Sequence, residues 1–313
     1  MAINKDISDL PRSDRPEGNL PSRNNFVAER IAEHWGKLDD HTKPALAVPE
    51  AGPYRGSMAS SRCDRSLFYQ LRGDEASNPP TLADRWRMGL GTTVHTMLQR
   101  IAGDLFNSDD EVDFANAESE VAVDLNPAGF PGSAHLDFVF DYKGKRCAVE
   151  VKSKGGFPFK MAATNFKGAA QGPRYGDVLQ GAIAAKALGC ELLVICYLAM
   201  ENISPQMAST FSDTEAGRFA AEWHYTIEEV DTYIDAEAER VAGVLAAVEN
   251  QLMPKRTLVD PDYPSGAEVN APSQGNGHWV LLDADDNDTI LDSGTTWFCG
   301  YCQFRDACVK DGR

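Results

Sequence analysis

The chain has 313 residues, 42% hydrophobic and 25% charged, which allows one large domain or two ordinary ones and excludes a collagenous, wholly disordered or heptad-repeat architecture. Thirty basic against 47 acidic residues leave a net charge of −17, which argues against broad electrostatic adhesion to nucleic acid or to an anionic membrane. The longest apolar run, Leu192 to Met200, is nine residues where a spanning helix needs about 20, and no apolar stretch backs the charges of the N-terminus; the chain is expected to be cytoplasmic, with no membrane partner.

Residues 1–60 are polar and proline-punctuated, with one amphipathic stretch from Phe26 to Trp35. They are expected to form a partly ordered lead-in to a single domain over 61–313. From Asp84 to about Phe106, Val94, Leu98, Ile101 and Leu105 recur at steps of three and four, the helix period, with His95 beside that stripe. After an acidic loop, Glu120 to Leu125, Ala134 to Phe140 and Cys147 to Ser153 read as strands, the last two joined by a Tyr142-Lys143-Gly144-Lys145 hairpin turn. A Gly/Lys-rich loop, a helix over about 176–188 and the apolar strand 192–200 follow. Such alternation predicts an α/β fold with a mixed sheet. Thr226 and Glu229 form a capping box, and Val230, Ile234, Val241, Leu245, Val248 and Leu252 continue one helical face until Pro254. Residues 260–278 are proline- and glycine-rich and read as a loop, with Trp279 to Leu282 as a short strand. The chain carries no Walker-type phosphate loop.

The strand Cys147-Ala-Val-Glu150-Val-Lys152-Ser turns Cys147, Val149 and Val151 to one face and Glu150 and Lys152 together to the other. Its hairpin partner places Leu136, Phe138 and Phe140 on one face and Asp137 opposite. Two carboxylates and an ammonium can therefore share a polar face. Two adjacent carboxylates repel unless a cation lies between them, and Mg²⁺ or Mn²⁺ prefers such hard oxygen ligands. The arrangement suits metal-assisted phosphodiester hydrolysis, with Lys152 steadying the water or the developing charge. An ordinary strand face with a cross-strand ion pair would carry the same residues.

Seven cysteines without a small extracellular scaffold make a disulfide framework a poor reading. Cys147, Cys190 and Cys196 enter or flank apolar strands and read as core thiols. Cys299, Cys302 and Cys308 lie at x₂ and x₅ spacing among polar residues, and Cys63 stands far upstream. Three clustered thiols plus a remote one match an iron–sulfur site better than structural zinc, which usually shows paired CxxC knuckles or histidines. Between Lys143 and Arg174, eight bases, among them Lys154, Lys160, Lys167 and Arg174, face one acid, Glu150, for a local balance of +7. This segment could line a passage for a polyanion; a solvated lysine-rich loop has the same composition.

Taken in order, Cys63, His95, Gly132-Ser-Ala-His-Leu-Asp137, Glu150-Val-Lys152, Gln180 and Cys299/Cys302/Cys308 resemble the RecB-like branch of the PD-(D/E)XK nucleases that carries a 4Fe–4S cluster, including CRISPR-associated and AddB-type enzymes. The resemblance spans Cys63 to Cys308. It implies a restriction-endonuclease-like core, a mixed central sheet flanked by helices, with a cysteine-ligated iron–sulfur staple joining the N- and C-terminal regions. It also implies that His95, Asp137, Glu150 and the Val151 carbonyl hold Mg²⁺ or Mn²⁺, that Lys152 is the catalytic lysine, and that Gln180 positions it or the DNA. Where the family often has a tyrosine four residues after that glutamine, Ala184 stands here, with Tyr175 the substitute DNA contact. The implied activity is that of a metal-dependent DNA exonuclease acting on single-stranded or end-bearing DNA in recombination, repair or spacer processing, with a helicase, recombinase or single-strand-binding partner. The alternative is a non-catalytic nucleic-acid-binding subunit stapled by iron–sulfur or zinc. Bridging Cys63 to the 299–308 turn closes a loop of most of the chain, a constraint of roughly 5 kcal/mol at the upper end.

Overall fold

The computed structural model describes residues 52–106, 114–163, 172–200, 220–257, 268–269, 277–282, 288–296, 299 and 302–311. All of them fall within the compact unit Ala45–Arg313. Of the expected lead-in 1–60, residues 1–51, with the stretch 26–35, lie outside the described residues, as does Lys167, whereas Tyr54 and Ala59 are described and buried in the core.

The centre is a mixed six-stranded sheet. Strand β1, Tyr54–Arg55, leads through a 3₁₀ turn to helix α1, Asp64–Arg72. Helix α2 is Leu82–Phe106. Strands β2, Phe114–Asp124, β3, Gly132–Tyr142, and β4, Lys145–Lys154, form an antiparallel run. The β3–β4 turn is the expected one, with Lys143 and Gly144 both at positive φ (51° and 79°), as a two-residue hairpin loop of matching twist requires. Helices α3, Gly156–Ala163, and α4, Tyr175–Ala187, precede β5, Leu192–Ala199, which lies parallel to β4. Beyond the predicted elements, β6, Ala220–Thr226, pairs antiparallel with β5. Helix α5, Ile227–Glu249, starts at the predicted capping box, with Thr226 and Glu229 exchanging side-chain and backbone hydrogen bonds of 2.7 and 3.3 Å. A second antiparallel sheet comprises β7, Glu268–Val269, β8, Gly277–Leu282, and β9, Asp288–Thr296. Helix α6 is Arg305–Lys310.

Both faces of the central sheet are covered. On one, α4 is buried almost throughout (Leu179 and Ala182 to Ala185), and Val230, Ile234, Val241 and Val244 of α5 join the same core as Leu136, Ala148, Leu193 and Ile195. Each large apolar side chain buried here contributes about 1.5–3 kcal/mol. On the other face Leu98 of α2 packs with Phe138, Val149, Val151, Cys196 and Leu198. Helices on two faces with a parallel pair at the centre give the expected mixed α/β layering.

Two sequence expectations are corrected. Residues 156–163 form a helix rather than a loop, because Phe159 and Ala162 are buried in the main core and their burial outweighs the Gly-Gly and Pro signals around them. Strict alternation in β3 also fails. Leu136 lies in the core beneath α4, whereas Phe138 lies in the cluster beneath α2. The change of side falls at Asp137, opposite Glu120 of β2, whose φ of 52° kinks that strand.

Candidate active site

Strand β2 follows one edge of β3 from Tyr142 to Ser133, so β1 and β4 must both use the other edge. Strand β1 pairs only with Gly132 and Ser133, where a Cβ on Gly132 would lie 2.0 Å from the Tyr54 carbonyl oxygen. Strand β4 pairs only from Phe138 onward. Between them the edge of β3 is open, and β4 runs on past Val149 without its partner. In place of a ladder carbonyl, the Asp137 carboxylate accepts the Val151 N–H at 2.7 Å. A carboxylate thus occupies the fork between two strands, where backbone groups left unpaired demand a polar partner.

Asp137 Oδ1 lies 2.6 Å from His95 Nδ1, delivered by α2 from across the sheet. That hydrogen bond, more than the opposing effect of burial, raises the His95 imidazole above its ordinary value. Glu150 is 3% exposed. It points toward α4, where Gly181 leaves it room: a Cβ there would lie 3.2 Å from the Glu150 Cβ. The predicted polar face of β4 is therefore not a solvent face, since α4 roofs it.

Glu150 Oε1 accepts from Gln180 Nε2 at 2.6 Å and pairs with Lys152 Nζ at 2.8 Å, and Lys152 also donates to Gln180 Oε1 at 2.8 Å. Glu150 Oε2 is buried with no hydrogen-bond partner. Burial, with Asp137 adding to it against Lys152, pushes the Glu150 carboxyl from 4.5 up to about 7. Burial pulls the Lys152 ammonium down, but Glu150 more than compensates and the net direction is up. A buried acceptor left empty, beside a second carboxylate that raises its pKa, is a deficit of positive charge that a hard cation would fill. The residues present fit such an ion, although among the described residues no three His, Cys, Asp or Glu side chains already converge on a metal position.

The structure thus brings His95, Asp137, Glu150, Val151, Lys152 and Gln180 together. Lys154 lies beside them but is held by Asp177 and Tyr197, neither of which stood out in the sequence. Asp177 could have been found as the residue one turn before Gln180 on the same helical face. Tyr175 lies elsewhere, its ring 4.9 Å from the Arg62 guanidinium and 5.9 Å from the Tyr233 ring. Arg174 donates its backbone N–H to Tyr197 Oη at 2.8 Å, and Lys160 is on α3. Of the basic segment, Arg146 is spent on Glu118 and Asp141.

The four outlying cysteines form a second locus. None of the four is in a disulfide among the described residues. Burial pushes the Cys63 thiol up to about 12, and the charges of Cys302, Cys308 and Cys299 add to that shift, so the remote thiol lies within electrostatic reach of the other three. Arg256, itself buried, donates to Cys308 Sγ at 3.1 Å and to its carbonyl at 2.7 Å. Among the described residues the four thiols do not gather at a metal position, and Arg256 is the charged group against the Cys308 sulfur.

No family model matches this sequence, nor does any curated protein. Among solved structures the fold overlaps that of SSO0001, at 15% identity over 70% of this chain and 86% of that one, with a TM-score of 0.40. It also overlaps an alkaline exonuclease, LHK-Exo, from Laribacter hongkongensis, at 16% identity over 70% and 94%, again with a TM-score of 0.40. The same exonuclease in complex with dAMP overlaps at 16% identity over 64% and 90%, with a TM-score of 0.39. Among the described residues, no helix is long and apolar enough to cross a membrane.

Proposed function

We propose that this protein is a metal-dependent DNA exonuclease of the PD-(D/E)XK type, acting on single strands or free ends in recombination, repair or spacer processing. The observation that carries the reading is the Glu150 carboxylate, with one oxygen gripped by Lys152 and Gln180 and the other buried and unpartnered beside Asp137. Asp137, Glu150, His95 and the Val151 carbonyl would hold Mg²⁺ or Mn²⁺. When bound, the ion supplies the Lewis acidity that polarises a phosphoryl oxygen and acidifies an attacking water.

The remaining work falls to the chain. Lys152, fixed between Glu150 and Gln180, presents an ammonium that orients the water and steadies negative charge as the P–O bond breaks. Gln180 bridges acid and amine, so the two move as one unit. His95 Nδ1 lies against Asp137 Oδ1 at 2.6 Å and orients that carboxylate at the fork. Lys160, Lys167 and Arg174 would guide the strand. Cys63, Cys299, Cys302 and Cys308 would hold a 4Fe–4S cluster that staples α1 to the C-terminal turn, with the visible absorption of iron–sulfur distinguishing it from zinc.

The test is degradation of end-labelled single-stranded DNA with Mg²⁺ or Mn²⁺ by the wild-type protein and by Glu150→Gln and Lys152→Ala. Each substitution is expected to lower the rate by at least roughly 100-fold. Full activity in either variant overturns the site. Tight binding without cleavage by the wild type would instead make the protein a binding subunit.

A further inference from the structure

Lys154, the last residue of β4, lies two positions beyond Lys152 on the same strand face, roughly 6.6 Å farther along. Its side chain is 13% exposed, with Nζ 2.5 Å from Asp177 Oδ2 and 4.5 Å from the centre of the Tyr197 ring. Lys154 is not the only donor to Asp177. The same Oδ2 accepts Tyr197 Oη at 2.5 Å, and Asp177 stands in the first turn of α4, where the helix dipole favours negative charge. Tyr197 is in turn oriented by the Arg174 N–H at 2.8 Å. If Lys154 left, the carboxylate would keep a donor and a favourable field.

Lys152 has no such freedom, because its departure would strip Glu150 of its cation. The amine that can leave is also the one that burial disfavours: desolvation pulls Lys154 below its ordinary value despite Asp177. Two glycines, Gly155 and Gly156, follow it immediately.

We propose that Lys154 is a phosphate-binding cation held in reserve, latched by Asp177 in the free protein and handed to the backbone phosphate next to the scissile one when a strand enters. Tyr197 is the positioning residue that makes release inexpensive by remaining on Asp177. This inference rests on the nuclease reading and adds a substrate-gated contact to it.

The experiment measures binding of a fluorescein-labelled single-stranded oligonucleotide to the full chain in EDTA, where no cleavage occurs, as a function of salt. Lys154→Met is expected to weaken binding and to flatten the log–log salt dependence by about 0.7, the loss of one phosphate contact. Asp177→Asn frees the amine and should tighten binding several-fold. Tyr197→Phe leaves Asp177 with Lys154 alone and should weaken it. Asp177→Asn combined with Lys154→Met should bind as Lys154→Met does. A structural clamp predicts the opposite sign for Asp177→Asn, namely weaker binding. An unchanged slope in Lys154→Met, or no gain in a folded Asp177→Asn, overturns the latch while leaving wild-type cleavage intact. Should Asp177→Asn not fold, the slope of Lys154→Met and the sign of Tyr197→Phe decide. A wild type that neither binds nor cleaves DNA overturns the nuclease reading and the latch together.

Discussion

Burial alone would raise the Asp177 carboxyl, but Lys154 and Tyr197 outweigh it and hold the group below the ordinary carboxylate range. A folded-state pKa below the unfolded one contributes stability that is fully present above about pH 4 and is lost as pH falls through the depressed value. Denaturant unfolding of the metal-free protein should therefore show a steep acid limb below about pH 4 that Asp177→Asn flattens. On the proposed function, His95→Ala removes one partner of Asp137 at the fork and should weaken Mn²⁺ binding by at least roughly tenfold, read by calorimetry. Glu150 and Lys152 were legible in the sequence because a strand's period of two puts both on one face, whereas the alternation that placed Asp137 breaks at that residue. His95 and Gln180 were legible only through the resemblance. Neither Asp177 nor Tyr197 was legible, since a helix acid and a strand tyrosine announce nothing until packing sets them 2.5 Å apart.

Helix α4 is the element on which the site turns. Its small residues let it approach the sheet closely enough for Gln180 to reach both Glu150 and Lys152. A Cβ on Gly181 would lie 2.9 Å from Leu193 Cδ1 and 3.2 Å from both Glu150 Cβ and Ile195 Cδ1. Leu193 and Ile195 can yield at their tips, but Glu150 Cβ is fixed by the β4 backbone, so Gly181→Ala should lift α4. The expected result is a loss of about 1–3 kcal/mol in urea unfolding, together, on the proposed function, with a fall in the rate of DNA degradation. Helix α5 was fully legible at its start because a capping box is local, and Thr226→Ala should cost about 1 kcal/mol. Helix α3 was not, because Phe159 is held by tertiary burial and not by local preference.

Across the whole molecule, a buried ionic web fastens the Cys63 segment to α5. Arg62 pairs with Glu237 at 3.0 Å, and Arg240 pairs with Glu237 and with Asp64, both at 2.7 Å. The C-terminal turn is fastened separately. Asn78 donates to the Cys302 carbonyl at 3.1 Å, the Ala307 N–H to Ser77 Oγ at 3.0 Å, and Tyr69 Oη to Asp311 at 2.7 Å. Glu237→Ala removes the carboxylate shared by two buried guanidinium groups, Arg240 keeping Asp64 and Arg62 the Ala59 carbonyl, and should destabilise the fold by about 3 kcal/mol. If the protein carries the proposed cluster, its removal should raise hydrogen exchange in 63–72 and 302–311 before it touches β3 and β4. Uniform loss of protection would show that the staple supports the sheet itself.

Local periodicity, a capping box and turn chemistry are properties of short stretches, so the sequence by itself determined the α/β class, the Glu150 and Lys152 pattern and the order of the cysteines. Only the tertiary structure decided that the polar face of β4 lies under a helix, that Asp137 fills the gap where β4 leaves β3, and that Lys154 is paired. Those outcomes depend on which distant surfaces meet, and burial is a property of the meeting surfaces rather than of either segment alone.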